Sequence, residues 1–109
     1  MRRRHFGEFE QLLLYAVRHL QEEDAGASGP TIRETLAART GRIVSPGAIY
    51  TALDRLERRG FVRSALGDPT PERGGKRKRL YWLRPQGETA LRAAEAALAT
   101  MARLARARE

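Results

Sequence analysis

The sequence predicts a mainly α fold carrying one small β-hairpin, and three observations predict it. Before Gly60, three stretches repeat their apolar residues at helical spacing. After Gly60, two short aliphatic and aromatic stretches flank a loop rich in Gly, Pro and basic residues. From Pro85 onward the helical period returns. The 109 residues suffice for one domain of this kind and not for two.

The first helix is read from Phe9, Leu12, Leu13, Ala16, Val17 and Leu20, which follow the i, i+3, i+4 pattern of one buried face. Glu22, Glu23 and Asp24 oppose the dipole at its C-terminal end, so it should fray there. A second, shorter helix is expected from position 30 or 31 to Thr40. Ile32 and Leu36 face inward, Gly41 is the stop, and either Gly29 or Thr31 is the cap; Thr31 and Glu34 have capping-box spacing. The third helix has the clearest limits: Ser45 as N-cap, Pro46 at the first helical position and Gly60 at the stop. Its buried arc holds Ile49, Leu53 and Leu56 with Ala52 at the edge. Gly47, Thr51, Asp54, Arg55 and Arg58 lie opposite, and Tyr50 projects from a flank.

Positions 61–66 and 80–83 read as two strands, with a loop over 67–78 whose tip carries both lysines of the chain. Trp82 is expected to pack in the core or on the hairpin. The last helix starts at Pro85 and runs for about twenty residues. Leu91, Ala94, Leu98, Met101 and Ala105 step by 3, 4, 3, 4, a short heptad seam that either folds back on the body or, as the favoured reading, pairs with a second copy. The chain therefore divides into a reading unit over 1–84 and a C-terminal dimerisation helix over 85–109.

Composition narrows the function. The net charge is +8, and there is no cysteine, which excludes disulfides, thiolate metal sites and cysteine nucleophiles. No apolar run approaches the roughly 20 residues of a membrane span, and no leader is apparent, so a cytoplasmic protein without a membrane partner is expected. Nineteen arginines against two lysines fit a genome bias, but the charge is placed unevenly. Residues 25–84 carry the whole +8 while the flanking segments cancel. His5 and His19 lack partners at ligand spacing, and no nucleophile–base set or phosphate-cradling loop is present, so neither catalysis, metal nor cofactor is expected.

Helix, helix, turn, helix and basic hairpin, in that order, make a winged helix-turn-helix domain, whose third helix enters the DNA major groove. On that reading Ser45, Gly47, Ala48, Tyr50, Thr51 and Arg55 form the recognition surface, Arg55 reads guanine, and Tyr50 either donates to a phosphate or packs at the junction of the second and third helices. Arg73, Lys76, Arg77, Lys78 and Arg79 are the wing cations that meet phosphate. The partner is double-stranded DNA, bound by a homodimer at an inverted repeat. The alternative is a winged-helix protein–protein interaction module without direct DNA readout.

The residues also carry a resemblance. Gly7-Glu8-Phe9-Glu10-Gln11-Leu12-Leu13-Leu14, the run from Ser45-Pro46-Gly47-Ala48-Ile49-Tyr50 through Arg55-Leu56-Glu57-Arg58-Arg59-Gly60, and the loop Pro69-Thr70-Pro71-Glu72-Arg73-Gly74-Gly75 resemble the PadR family of bacterial transcriptional regulators. The resemblance implies a repressor of the short subfamily that dimerises through a single C-terminal helix. Some members release DNA on binding an aromatic ligand, so it admits a small aromatic effector. Two departures stand out. Arg84 precedes Pro85 where the family usually has threonine, and the last helix has no tryptophan of the kind that sandwiches planar drugs.

Overall fold

A computed structural model describes residues 7–67 and 77–108. Its elements follow the order α1 (Glu8–Leu20), α2 (Gly29–Thr40), α3 (Pro46–Arg58), β1 (Val62–Leu66), β2 (Arg79–Leu83) and α4 (Pro85–Arg106). The three N-terminal helices surround a core of Leu13, Leu14, Val17, Ile32, Leu36, Ile49, Leu53 and Leu56, all nearly or wholly buried. The antiparallel hairpin closes it with Val62 and Tyr81, in a register that pairs Val62 with Leu83 and Leu66 with Arg79.

The helix ends show why the chain turns where it does. The Ser45 side chain accepts from Ala48 N at 3.1 Å, and Pro46 follows without penalty because its missing N–H would have had no helical partner. At the other end Gly60 adopts φ +84°, with Gly60 N donating to Glu57 O and Phe61 N to Leu56 O. That pairing satisfies the last carbonyls of α3 and needs a left-handed residue, which Gly supplies without strain.

The start of α2 differs from expectation. Ser28, not Gly29 or Thr31, is the cap. Its side chain accepts from Thr31 N, while Ser28 N donates to Thr31 Oγ1 at 2.8 Å, so the box closes between Ser28 and Thr31 and leaves Glu34 out. The hairpin imposes this choice. Tyr81 N donates to Ala27 O at 2.8 Å, and Ser28 forms an isolated antiparallel bridge with Leu80, burying Ser28. A buried polar residue must find its bonds locally, and the capping box provides them.

Leu14 joins the core although it lies off the predicted stripe. α1 contacts α2 on one side and β2 and α4 on another, which widens its buried arc beyond one face. Phe61 is buried but lies just ahead of β1, its N–H already used to finish α3. Trp82 stands on the outer sheet face opposite Arg63, whose guanidinium lies 4.3 Å from the ring centroid. It packs on the hairpin, one of the two places expected for it.

α4 begins on the body and then leaves it. Arg84 offers no side-chain cap; instead Arg84 N donates to Phe61 O at 2.9 Å. Leu91 is buried, but Leu98, Met101 and Leu104 are about 60% exposed. The radius of gyration is 15.7 Å, against about 13 Å for a compact chain of this length, because this helix projects. Among the described residues no helix is long and apolar enough to cross a membrane.

Candidate nucleic-acid interface

α3 turns Ile49, Ala52, Leu53 and Leu56 inward. Ser45, Gly47, Ala48, Thr51, Asp54, Arg55 and Arg58 are exposed, as amphipathic spacing requires. A Cβ at Gly47 would meet nothing within 4 Å, so the front of the helix is open to a close neighbour. Arg33 of α2 donates its Nε proton to Val44 O and pins the turn that delivers Ser45.

Tyr50 is half-exposed and its ring lies directly against Gly29. A Cβ at position 29 would overlap the ring, so the glycine at the head of α2 sets where the phenol sits. Gly29→Ala should push Tyr50 outward while leaving the fold intact, because the obstructing atoms are the far end of a side chain. A changed tyrosine fluorescence with a melting temperature within a few degrees of wild type, equivalent to about 0.5 kcal/mol or less, would show it.

Arg55 does not stand freely on the outer arc. Its NH1 lies 3.4 Å from Glu10 Oε2, and Arg59 NH1 lies 3.3 Å from Glu10 Oε1, so one little-exposed carboxylate of α1 takes both guanidinium groups. The Arg55 side chain is still 54% exposed and lies at the α1 flank of the recognition surface. Arg42, in the turn before α3, pairs with Glu8 at 2.8 Å. The first turn of α1 thus holds arginines from the turn and from the far end of α3.

The wing root is tied to the same helix. Ser64 of β1 donates to the Glu57 carboxylate, with O–O distances of 2.9 and 3.0 Å, and accepts from Arg79 NH1 of β2 at 3.0 Å. Arg77 donates to Gly67 O at 2.8 Å and Lys78 to Ala25 O at 3.4 Å, both remaining at the surface end of the hairpin. Arg73 and Lys76 lie outside the described residues. Between α3 and the wing runs a cleft of about 470 Å³ lined by Tyr50, Asp54, Glu57, Ser64, Arg79 and Tyr81. Burial, ahead of any neighbouring charge, raises the Tyr81 hydroxyl above the ordinary phenol range, so it remains a neutral donor in the wall of that cleft.

Helical periodicity places Arg55, Asp54 and Arg58 on one polar arc but carries no signal for Glu10 as the partner of Arg55, since that contact spans the whole helical unit. It carries none for the Glu57–Ser64–Arg79 chain either. The predicted α4 seam is divided: Leu91 is committed to the body, Ala94 is half-buried, and Leu98, Met101 and Ala105 stand exposed, joined by Leu104.

A third helix buried on one side, open on the other and flanked by a tethered two-stranded wing defines a winged helix-turn-helix protein. The family profile described as "Transcriptional regulator PadR-like family" matches residues 18–93. The chain belongs to that family, whose members are transcription regulators and not enzymes. In fold it is similar to a PadR family transcription regulator from Clostridium difficile R20291, with 19% identity over 90% of this chain and 94% of that one and a TM-score of 0.71. A PadR-like transcriptional regulator from Bacillus cereus strain ATCC 14579 gives 19% identity, 90% and 87% coverage and a TM-score of 0.70. Bacillus subtilis PadR in complex with operator DNA gives 18% identity over 78% of this chain and 46% of that one, with a TM-score of 0.63. No curated protein sequence matches the chain significantly.

Proposed function

We propose that this regulator is a cytoplasmic repressor that binds an inverted-repeat operator as a homodimer, reading bases with α3 and holding phosphates with the wing. The observation that carries this reading is the exposed face of α3, open at Gly47 and Thr51, set beside a hairpin that ends in Arg77, Lys78 and Arg79. Among similar folds, Bacillus subtilis PadR is bound to operator DNA, which supports the same partner here. Small residues at the front of α3 let its backbone approach base edges, and Thr51 and Arg55 supply hydrogen bonds there. Arg55 takes part by exchanging Glu10 for DNA. Tyr50, packed against Gly29 and still half-exposed, is taken to offer its hydroxyl to a phosphate.

The exposed stripe of Leu98, Met101, Leu104 and Ala105 supports the division into a reading unit over 1–84 and a dimerisation helix over 85–109. A twofold pair places two recognition helices about 34 Å apart, one turn of B-DNA. The reading extends to a small aromatic effector. An apolar groove of about 310 Å³ between α1 and α2, whose lining includes Leu12, Tyr15, His19 and Arg39, is large enough for one ring.

In-vitro selection from random duplex DNA, followed by titration of the recovered sequence, tests the whole reading. An enriched inverted repeat is the expected result. A flat titration even at low salt would instead favour a winged helix that binds a protein. Wing and helix should also separate in their effects. Neutralising Lys76, Arg77 and Lys78 together should weaken selected and random duplexes alike and flatten the log–log salt slope by about 0.9 for each phosphate no longer neutralised. Arg55→Ala should lower affinity and relax sequence preference.

A further inference from the structure

Among the described residues five ion pairs are present, and four of them join parts of the chain far apart in sequence: Arg18–Glu88, Arg42–Glu8, Arg55–Glu10 and Arg59–Glu10. The fifth, Asp54 with Arg58, joins two positions of α3 itself and no other element. Both side chains are exposed, at 55% and 76%, and among the described residues they hydrogen-bond only each other. An exposed i, i+4 pair adds little to stability, so the fold gives no reason for it.

Its place on the helix does. Gly47, Thr51, Asp54 and Arg58 follow one another by four, three and four residues and lie directly opposite the buried Ile49, Leu53 and Leu56. They form the outermost line of α3, while Arg55 is drawn aside to Glu10. A carboxylate on the leading edge of a helix that approaches a polyanion is repelled by every phosphate it passes. It becomes favourable only where it meets hydrogen-bond donors, and on major-groove edges those are the exocyclic amines of cytosine and adenine. Its neighbour carries the opposite need. The Arg58 fork is best satisfied by two adjacent acceptors, which guanine presents as O6 and N7. One C·G pair offers both sets side by side, the cytosine N4 amine next to guanine O6 and N7.

We propose that Asp54 and Arg58 act as one reading unit for a C·G base pair in the major groove, with Asp54 as the residue that sets specificity by rejecting a guanine or thymine, which offer it no amine, in the place of the cytosine. The proposal rests on the DNA-binding reading above. In the free protein the two side chains neutralise each other, and on the right base pair each exchanges its partner for the edge of one base.

The test is in-vitro selection with the full-length wild-type protein, Asp54→Ala and Arg58→Gln, each also titrated against a random-sequence duplex as the non-specific probe. For wild type, each half-site should contain one position fixed as C·G. Asp54→Ala should lower the preference at that position by about 5- to 100-fold, the range of one good base contact, and leave the others unchanged. The same variant should bind the random-sequence duplex several-fold more tightly, since a repelled charge is gone. Arg58→Gln should weaken the same position while also loosening the random-sequence duplex, which loses a cation. An Asp54→Ala motif identical to wild type at every position would overturn the proposal and leave DNA binding intact. A wild-type protein that enriches no sequence would overturn the reading underneath it. Both residues are exposed, and Arg58→Gln provides a second route to the same base pair if Asp54→Ala does not fold.

Discussion

Leu98→Glu is expected to convert a dimer into monomers and to remove most of the affinity for an operator. Leu98, Met101 and Leu104 lie on the outward reach of α4, each about 60% exposed in the single chain. Three large apolar side chains on one free helix face make an exposed patch of the kind that marks an interface. The body cannot cover them, because Gly87 and Leu91 already commit the first two turns to the hairpin and α1. Truncating a central hot-spot residue of an interface costs about 2 kcal/mol or more, and a buried charge at the middle of this stripe should act on that scale. A twofold interface suffers this twice, so the dimer dissociation constant should rise roughly a thousandfold, about 4 kcal/mol. Linked half-sites add affinity of about 10² to 10⁴ over either alone, so operator binding should fall on that scale, whereas binding of one head to random DNA should change little. Sedimentation at micromolar concentration checks the first half and a duplex titration the second. A Leu98→Glu protein that still sediments as a dimer would remove α4 from the interface.

Gly87→Ala should have the largest effect on stability. A Cβ at Gly87 would overlap the carbonyl oxygen of Phe61, with Leu83 also close. The obstruction is backbone, so no rotamer change relieves it. Phe61 O is already the acceptor for Arg84 N, which holds the first turn of α4 against the end of α3. Forcing the two apart should cost about 2–3 kcal/mol, and the melting temperature should fall by roughly 10–20 °C. Replacing Gly by Ala in an unobstructed helix normally stabilises by up to about 1 kcal/mol, so even the sign of the shift discriminates. A thermal melt followed by circular dichroism reads it directly.

Much of the fold is legible in the sequence because its signals are local. Ser45, Pro46 and Gly60 bracket α3 through the cap and stop geometry of neighbouring residues, and the structure places them in those roles. The change of period after Gly60 announces the hairpin for the same reason. What escapes a local reading depends on residues far apart in the chain. Ser28 outranks Thr31 as a cap because the hairpin buries it, through a bridge to Leu80 of a distant strand. Arg55 lies on the expected arc by helical geometry, yet its direction is decided by Glu10, 45 positions earlier. A strict heptad count selects Ala105 and skips Leu104, because it ignores how wide the uncovered arc of α4 is. The Ser64 link between Glu57 and Arg79 has no local signature at all, since it exists only once the strands have paired.

Phe61 is the joint between the two halves of the chain. Its N–H finishes α3 through Leu56 O, its carbonyl starts α4 through Arg84 N, and its ring is buried beneath the Arg59 guanidinium, 4.9 Å from the centroid. One residue therefore fixes the angle between the helix proposed to face DNA and the helix that would meet a twin. In an assembly joined through α4, that angle acts as a ruler. The distance between two reading heads is set at the joint, so the spacing of half-sites becomes a property of the protein's skeleton, separate from the side chains that choose the bases.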